Sequence, residues 1–411
     1  MDKKLNLPPD AAQILNTLNE NGYEAYIVGG CVRDSILGRI PQDWDITTSA
    51  LPEETKALFD HTFDTGIQHG TITVVLRHEN YEVTTYRVDG EYADCRHPDA
   101  VSFTADLTED LLRRDFTMNA IAYHPTEGFR DPFCGQADIA AQTIRGVGNP
   151  ALRFQEDALR MLRCVRFAAQ LGFTIESETW AALCDNTPLI QKISVERIRE
   201  ELQKLWLSPF IEQMPLLWES GLLAQIEPRL SSQLLARRKL FLEELALCPK
   251  DILMRWCIVL QEYSPAEAKA FLKRMKFDTR SLQRICLLLE ALAEDVPTEA
   301  YPLRKLAGTI GIDALKQLLQ LQAILRPTSP HAESSVALTH ILADGDCLTL
   351  KTLALSGKDL MALGASHGKE LGVLLAELLD IVLQAPEKNT KEALTAEAIL
   401  RLQQRQKGGS Q

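Results

Sequence analysis

Hydrophobic and polar positions follow two different periods on either side of residue 150. Before it, short β-branched and apolar runs bounded by Gly, Asp and Thr predict strands at 25–28, 45–48, 71–76 and 82–86. After it, Leu and Ala recur at helical spacing with polar residues between them, and no further strand is predicted. We therefore expect an α+β protein: an N-terminal mixed α/β head, a small sheet with flanking helices, followed by an all-α remainder.

Proline-containing segments divide the helical part further. X-Pro pairs at 187–188, 208–209 and 326–327 disfavour helical backbone and predict helix ends, and 326–335 is the most linker-like stretch. We expect four domains: a head at 1–148, a neck at 149–208, a body at 209–325 and a tail at 326–411. No repeat period is present that would indicate a solenoid.

Composition places the chain among soluble globular proteins. It has 411 residues, of which 45% are hydrophobic and 24% charged. The net charge of -12 gives no chain-wide basic field and weighs against a nucleic-acid partner. The nine cysteines are scattered singly, which favours a reducing cytoplasm over a disulfide or zinc framework. The sequence shows no apolar leader and no long apolar stretch, so we expect neither secretion nor a membrane span.

A diglycine turn is the first candidate site. Gly29 and Gly30 follow the 25–28 run, and Arg33 lies in the first turn of the helix predicted next. Such a turn lets backbone N–H groups approach a phosphate closely, and the helix N-terminus adds partial positive charge. A strand–Gly–Gly–helix connection also occurs without any ligand, so this pattern alone leaves both interpretations open.

Two carboxylates, Asp43 and Asp45, follow shortly after that turn. On a strand they project from one face, while Trp44 and Ile46 project from the other into a core. Two hard oxygen ligands close together can hold Mg²⁺, which also binds substrate phosphates. Both acids could instead face water on a half-exposed strand, but their combination with the diglycine turn favours a metal and phosphate site.

A third cluster contains Arg113, Arg114, Asp115 and Asn119 at helical spacing. Arginine offers fixed donors to ribose hydroxyls or phosphates, and we expect Asp115 and Asn119 to orient the two arginine side chains. An ordinary arginine–acid surface network is the alternative.

The segment 153–169 is predicted to form one helix, on which Asp157 and Arg160 share an outward face. That spacing usually indicates a surface salt bridge. A carboxylate only accepts hydrogen bonds, however, and a guanidinium only donates them. Cytosine and adenine each present an amino donor beside a ring-nitrogen acceptor and complement such a pair, whereas uracil and guanine would leave its groups unpaired.

Five ordered motifs together resemble the class II tRNA nucleotidyltransferases, the CCA-adding enzymes and their bacterial poly(A) polymerase relatives in the polymerase β superfamily. The motifs are GGCVRD at 29–34, DWD at 43–45, EVTT at 82–85, RRDFTMNA at 113–120 and EDALR at 156–160. The resemblance implies template-independent addition of C, C and A to the 3′ end of tRNA from CTP and ATP. In that reaction the tRNA 3′-hydroxyl attacks the nucleotide α-phosphate and pyrophosphate leaves.

The resemblance also implies a role for each candidate residue. Asp43 and Asp45 bind catalytic Mg²⁺, and Glu82 resembles the family's third active-site carboxylate, with an exposed strand glutamate as the alternative. Asp157 and Arg160 select the base, Glu156 and Arg163 hold that pair in position, and Arg166 completes the base-binding set. Gly29, Gly30 and Arg33 contact the triphosphate, and the ribose or nucleotide contacts are Arg113, Arg114, Asp115 and Asn119.

Further segments bear on the partner and on the product. The polar stretch 88–99 resembles a flexible loop that CC-only enzymes lack, so complete CCA addition or A addition is favoured over CC addition. Addition of A alone, poly(A) synthesis and a non-catalytic tRNA-binding role stay open. Basic clusters at 237–239, 273–276 and 304–305, with a turn at 357–359, are candidate contacts to the tRNA acceptor arm and 3′ end.

Overall fold

The computed structural model describes residues 4–90 and 101–408, so most of the stretch 88–99 lies outside the described residues. The chain divides into two compact units, Met1–Leu242 and Glu243–Gln411. The expected α+β class is confirmed, because the sheet lies in the N-terminal part and the rest is mostly helical.

The central sheet of the first unit has seven strands in the order β3-β4-β5-β2-β1-β8-β9. Its β2–β5 pair is parallel and its other pairs are antiparallel, so the sheet is mixed as predicted. Two short ladders, β6–β7 and β10–β11, lie outside it. The strands are β1 Ala25–Val28, β2 Ile46–Thr48, β3 Thr62–Gly66, β4 Thr71–Leu76, β5 Glu79–Thr85, β6 Arg87–Asp89, β7 Val101–Phe103, β8 Ala122–His124, β9 Gly128–Arg130, β10 Thr143–Ile144 and β11 Thr174–Ile175.

One strand contradicts the expectation that strands end near residue 150. The two residues of β11 pair in parallel with β10, and Glu176 donates its backbone N–H to the carbonyl of Ile144 at 3.0 Å. A two-residue strand offers no alternation for a sequence pattern to detect. This ladder ties the head to the helices that follow it.

Helices cover the sheet and continue through the rest of the first unit, and the last of them runs past the end of that unit at Leu242. β1 and α2 place the diglycine turn at the end of a fully buried strand. The helices are α1 Pro9–Glu20, α2 Gly30–Ile36, α3 Pro52–Leu58, α4 Leu107–Leu112, α5 Gly135–Ala140, α6 Pro150–Glu156, α7 Leu159–Leu171, α8 Ser177–Asn186, α9 Val195–Trp206, α10 Leu216–Glu219, α11 Leu222–Ile226, α12 Pro228–Ala236 and α13 Arg238–Leu247, and 3-10 turns lie at Ile67–His69, Thr117–Asn119, Thr187–Lys192 and Ile211–Gln213.

The α7 helix is the structural centre of the site described below. All of its residues except Arg163 and Gln170 are buried. Two of the buried residues are arginines, Arg160 and Arg166. Buried guanidiniums need carboxylate partners, so the burial of this helix already predicts an ionic network around it.

The second unit is helical in its described residues. Its core includes Leu374, Leu378 and Val382 of one helix against Leu394 and Ala398 of the last. Among residues 4–90 and 101–408 no helix is both long and apolar enough to cross a bilayer. The helices are α14 Ile252–Val259, α15 Pro265–Arg274, α16 Thr279–Ala291, α17 Ala300–Ile310, α18 Ile312–Leu325, α19 His331–Ala343, α20 Gly357–Ala362, α21 Lys369–Gln384 and α22 Lys391–Gly408, with a 3-10 turn at Pro386–Lys388.

Candidate active site

A polar cavity of about 460 Å³ lies where the diglycine turn, the 113–119 segment, α7 and α9 meet. It brings together most of the residues that the sequence analysis singled out. Asp43, Glu82 and Glu156 are not in its lining. The lining is Gly29, Gly30, Arg33, Asp45, Arg113, Arg114, Asp115, Asn119, Asp157, Leu159, Arg160, Arg163, Arg166, Phe167, Gln170 and Arg197.

The diglycine turn requires glycine at its first position. Gly29 has a φ of 84°, which side chains rarely tolerate, and α2 begins at Gly30. A Cβ on Gly29 would lie 3.2 Å from Nη1 of Arg114 and 3.9 Å from Oδ2 of Asp45. The missing side chain therefore lets a guanidinium, a carboxylate and the backbone approach one point of the cavity.

The aspartate pair lies immediately before β2 rather than within it, which corrects the predicted strand bounds. The carbonyl of Asp45 accepts the N–H of Val28 at 3.0 Å, so the extended backbone still runs alongside β1. Ile46 is buried as predicted, Asp43 is exposed and Asp45 is half-buried. Both aspartates thus lie outside β2, where their charges avoid the buried interior of the sheet.

The charges of the three predicted carboxylates affect one another. Burial raises the pKa of Asp45 to about 6, the Arg114 charge opposes that shift, and the Glu82 and Asp43 charges add to it. Glu82 is exposed on β5, whose next residue, Val83, pairs with Ile46 beside Asp45. Mutual repulsion at a half-buried carboxylate is relieved by a bound cation, so this donor set fits Mg²⁺.

The carboxylates alone do not enclose a metal ion. Within the described ranges, 4–90 and 101–408, no group of three or more His, Cys, Asp or Glu side chains is arranged to hold one. Mg²⁺ is commonly bound by one or two carboxylates together with substrate phosphates and water. The arrangement therefore fits a metal that arrives with, and is shared with, a phosphorylated ligand.

Arg113 and Arg114 are both held by Asp110, a carboxylate that sequence reasoning missed. Arg113 donates through Nε and Nη2 to one oxygen of Asp110, at 3.0 and 2.7 Å. Arg114 donates through Nη2 to the other oxygen at 3.2 Å. The expectation that Asp115 and Asn119 orient these two arginines is wrong, because α4 ends at Leu112 and the chain turns at 113–115, so that Asp115 and Asn119 bond to other arginines.

Asp115 and Asn119 instead join the head to α7. Arg163 donates through Nε and Nη2 to Oδ2 of Asp115, at 2.8 and 2.6 Å. Asn119 donates to Oδ1 of Asp115 at 2.9 Å and accepts from Arg33 at 2.6 Å. Burial opposes ionisation of Asp115, but Arg163 and Asn119 prevail and hold its pKa well below the ordinary range. Arg163 was expected to help hold the Asp157–Arg160 pair, and its hydrogen bonds go to Asp115 instead.

The predicted single helix over 153–169 is interrupted between Asp157 and Arg160. α6 ends at Glu156, Asp157 has extended backbone angles (φ -137°, ψ 102°), and α7 begins at Leu159. The Asp157 carboxylate accepts the N–H of Leu159 at 3.1 Å, a local bond that competes with helix continuation. The two side chains therefore line the cavity from a helix junction and not from one helical face.

Arg160 is buried, at 8% exposure, and does not face outward as predicted. Its Nη1 donates to Glu156 at 2.6 Å and to the carbonyl of Arg153 at 3.0 Å, while Nη2 donates to the carbonyl of Arg113 at 2.7 Å. Glu156 thus holds Arg160 as the sequence analysis anticipated. The same bonds connect Arg160 to the 113–119 segment.

Asp157 is held by Arg197 of α9, another residue that sequence reasoning missed. Arg197 donates through Nη2 to Oδ2 at 2.8 Å and through Nη1 to Oδ1 at 3.3 Å. A fork of two parallel donors fixes the plane of a carboxylate as well as its charge. A separation of 40 residues gave no local spacing from which this pair could be found.

Arg166 and Phe167 complete the wall of the cavity. Arg166 donates to Glu201 and to Gln170, each at 2.6 Å, and both members of the Arg166–Glu201 pair are buried. The Phe167 ring lies 3.7 Å from Arg166, 4.9 Å from Arg33 and 5.4 Å from Arg163, measured from ring centroid to Cζ. Stacking on this ring limits the positions of three guanidiniums at once.

Comparisons with known proteins agree along the whole chain. Residues 25–145 match the family described as "Poly A polymerase head domain". Residues 172–234 match an RNA and SrmB-binding site of polymerase A, and residues 251–398 match tRNA nucleotidyltransferase domain 2. The three matches follow one another in order, in both compact units.

Individual relatives are similar over nearly their full length. The chain is 38% identical over 414 residues to the CCA-adding enzyme of Enterococcus faecalis, with 97% of each chain covered. It is 37% identical over 410 residues to the CCA-adding enzyme of Geobacillus stearothermophilus, covering 97% of this chain and 99% of the relative. The crystal structure of the Bacillus stearothermophilus CCA-adding enzyme in complex with CTP has 34% identity and a TM-score of 0.81, covering 98% and 100% of the two chains.

Proposed function

This chain belongs to the family of CCA-adding enzymes, and from that premise we propose that it is a tRNA nucleotidyltransferase that adds C, C and A to the tRNA 3′ end. The observation that carries the proposal is the convergence in one cavity of the Gly29 turn, Asp45 and the Asp157–Arg160 junction. These three parts correspond to the needs of the reaction: a place for phosphates, a carboxylate for the metal and donors and acceptors for a base.

The chemistry is a nucleotidyl transfer. The 3′-hydroxyl oxygen of the tRNA forms a bond to the α-phosphorus of CTP or ATP, the bond to the bridging oxygen breaks, and pyrophosphate leaves. Mg²⁺ held by Asp43 and Asp45, when bound, supplies Lewis-acid stabilisation of the attacking and leaving oxygens. Glu82 adds negative charge beside Asp45 and strengthens the attraction of the site for a cation.

The chain's own groups hold the nucleotide. Arg33 and Arg114 supply positive charge beside the glycine turn, where the triphosphate would lie. The Asp115–Asn119 pair keeps Arg33 and Arg163 in fixed positions, so the nucleotide meets a preorganised set of donors. We assign Arg113 a supporting role, because two of its donors are already bound by Asp110.

Base choice is assigned to Asp157 and Arg160. The carboxylate accepts from the exocyclic amino group of cytosine or adenine, and the guanidinium donates to the adjacent ring nitrogen. Uracil and guanine would place acceptor against acceptor and donor against donor in a buried setting. The bonds from Arg197 and Glu156 keep the two side chains in place, which makes the protein itself the template.

The helices beyond the head are assigned to tRNA. We propose that the neck, 149–208, recognises the base, and that the body, 209–325, and the tail, 326–411, bind the acceptor arm. The net charge of -12 requires such binding to use local basic clusters such as 237–239 and 273–276. Binding should therefore weaken steeply with added salt.

A cytoplasmic location accords with the cysteines. The eight cysteines in the described residues are free thiols. Thiols without disulfides are typical of a reducing compartment, where tRNA is also found.

Incubation with defined tRNA ends tests the function. Wild-type protein with Mg²⁺ is given tRNA lacking its last three nucleotides, or only its last one, with CTP, ATP or both. We expect two residues added from CTP alone, three from both nucleotides, and one from ATP on tRNA that lacks only the terminal A. If only the tRNA that lacks its terminal A is extended, the protein is an A-adding enzyme. A long A tail would show a poly(A) polymerase, and tRNA binding without any addition would show a non-catalytic protein.

A further inference from the structure

Asp110 is the most buried carboxylate near the cavity, although it does not line it. It lies on α4 with an exposed fraction of 0%, three residues before Arg113 and four before Arg114 in the chain. A buried carboxylate is costly unless its oxygens are fully bonded. The groups that bind Asp110 therefore indicate its structural role.

The four bonds to Asp110 come from three residues, the two neighbouring arginines and a threonine of β2. Oδ1 accepts from Nε and Nη2 of Arg113, and Oδ2 accepts from Nη2 of Arg114 at 3.2 Å and from the Thr47 hydroxyl, also at 3.2 Å. Thr47 is fully buried on β2, two residues after Asp45. Asp110 thus connects β2, the strand that follows Asp43 and Asp45, to the two arginines.

The two arginines differ in the donors that remain available to a ligand. Arg113 places Nε and Nη2 on Asp110, so its fork is already occupied by a carboxylate. Arg114 gives Asp110 only Nη2, its buried Nε has no hydrogen-bond partner, and its Nη1 points at the Gly29 turn. The Nη1 beside the turn and the unpartnered Nε belong to one guanidinium, so this side chain keeps donors available for an anion in the cavity that it lines.

We propose that Asp110 is a positioning residue, which holds the Arg114 guanidinium against the Gly29 turn so that its remaining donors meet the phosphates of the incoming nucleotide. This inference rests on the proposed function for the identity of the nucleotide. Burial opposes ionisation of Asp110, but the charges of Arg114 and Arg113 prevail and keep its pKa below the ordinary value. The carboxylate therefore stays charged and keeps its hold on both arginines at neutral pH.

The test replaces Asp110 with asparagine and uses pyrophosphate as a ligand that has phosphates but neither base nor ribose. Asp110→Asn keeps the shape of the side chain but turns a donor amide towards the guanidiniums. Binding of magnesium pyrophosphate is measured by calorimetry, and KM is measured for CTP and ATP with tRNA. We expect the Kd for pyrophosphate and both KM values to rise by about tenfold, since a charge-assisted bond is lost.

A matched control lies in the same domain. Asp138 is also buried, and it accepts from a threonine hydroxyl, Thr117, at 2.7 Å and from Arg145 at 3.2 Å. Unlike the arginines bound to Asp110, Arg145 does not line the cavity. Asp138→Asn should lower thermal stability as Asp110→Asn does, while leaving pyrophosphate affinity unchanged. If both variants lose thermal stability but only Asp110→Asn loses affinity for pyrophosphate, the loss of affinity reflects positioning of Arg114 and not general unfolding.

A milder pair of variants covers the case in which Asp110→Asn does not fold. Thr47→Val removes the hydroxyl bond to Asp110. As its control, Thr179→Val removes a bond from another fully buried threonine hydroxyl to a carboxylate, that of Glu176, and neither of these residues lines the cavity. Thr47→Val should weaken pyrophosphate binding by about threefold and Thr179→Val should not.

Unchanged pyrophosphate affinity in folded Asp110→Asn would overturn the inference, as would a defect confined to discrimination between CTP and dCTP, which would indicate ribose contact. Failure of the wild type to add nucleotides to tRNA would instead refute the proposed function. The calorimetric measurement needs no tRNA and still decides the role of Asp110 in that case.

Discussion

Arg197 donates hydrogen bonds to both carboxylate oxygens of Asp157, at 2.8 and 3.3 Å, and so places the carboxylate from a helix 40 residues further along the chain. Within the helix junction the Leu159 N–H binds one oxygen of this carboxylate, and Arg197 binds both, which fixes its plane. If Asp157 reads the base, as we propose, then base selection depends on a residue that belongs to another element.

Replacement of Arg197 with methionine should therefore weaken base selection. Asp157 would keep the single bond from the Leu159 N–H, and its charge would lose the Arg197 guanidinium. We therefore expect kcat/KM for CTP and ATP to fall by about tenfold and kcat/KM for UTP to fall less. Arg197→Lys should recover part of the loss. Arg199→Met, on the same helix beside Glu200, is the control and should keep wild-type discrimination. Equal losses for CTP and UTP in Arg197→Met would argue against this role.

Removal of either base-reading side chain should relax the choice between nucleotides directly. In Asp157→Ala and Arg160→Ala, we expect the preference for CTP over UTP to fall by about tenfold or more, because the mismatched pairing of uracil no longer leaves buried groups unpaired. Rates of incorporation from each nucleotide supplied alone measure this. Arg130→Ala, which breaks the exposed Glu127–Arg130 bridge, serves as a control. Unchanged discrimination against UTP in both cavity variants would rule out the protein template.

The aspartate pair should be required for transfer but not for folding. Asp43→Ala and Asp45→Ala should lower incorporation of labelled CTP to below about a thousandth of the wild-type rate, since the metal loses its carboxylate ligands. Unfolding temperatures should stay close to that of the wild type. Asp64 lies on β3 of the same sheet, and its exposed carboxylate binds Lys56. As a control, Asp64→Ala should remain active. Full activity in either site variant would exclude a metal role for the pair.

The raised pKa of Asp45 makes a separate prediction about stability without metal. The pKa of Asp45 is about 6 in the folded state and is lower in the unfolded state, so binding of a proton stabilises the folded state. This contribution to the free energy of unfolding is complete below about pH 4 and is lost as the pH rises through 6. In EDTA, Asp45→Asn should be more stable than the wild type at pH 7, by about 1 kcal/mol after allowance for solvent screening. The difference should shrink towards pH 4. Urea unfolding of both proteins across this range measures it, and a pH-independent difference would contradict the assignment.

The buried Arg166–Glu201 pair should contribute to the stability of the folded protein as well as to the shape of the cavity. Glu201→Leu leaves a buried guanidinium without its carboxylate, which should cost about 3 kcal/mol in the free energy of unfolding. Glu200→Leu, at the exposed neighbouring position, should change stability by less than about 0.5 kcal/mol. Equal stability of the two variants would show that Arg166 finds other partners.

Local patterns in the sequence predicted the parts of the fold that short-range rules decide. The buried run before Gly29 forms the strand expected at Ala25–Val28, and the apolar strand Thr71–Leu76 has the expected bounds. The two-residue β11 and the exposed β3, where Phe63 faces solvent, lack the alternation on which such predictions depend. Residues of the site were predictable where a motif groups them, as at 29–33 and 113–119.

Partners across the chain were not predictable. Asp157 and Arg160 were expected on one helix, and the Asp157 side chain itself helps to end α6 by accepting the N–H of Leu159. Asp110 and Arg197 are found only when α4 and α9 are placed beside the cavity. Charged residues in helices are usually solvated, so spacing alone gave no reason to expect that these two bond to the active site.

Competition among all four nucleotides tests the central claim most directly. Wild-type protein is given tRNA lacking its last three nucleotides with ATP, CTP, GTP and UTP at equal concentrations, and the new 3′ ends are sequenced. A protein template formed by Asp157 and Arg160 predicts that only C and A are added, and the proposed CCA-adding function predicts that they are added in the order CCA and that addition stops after A. Incorporation of U or G at rates comparable to C and A would contradict the template, and a continuing tail of A would contradict the proposed function.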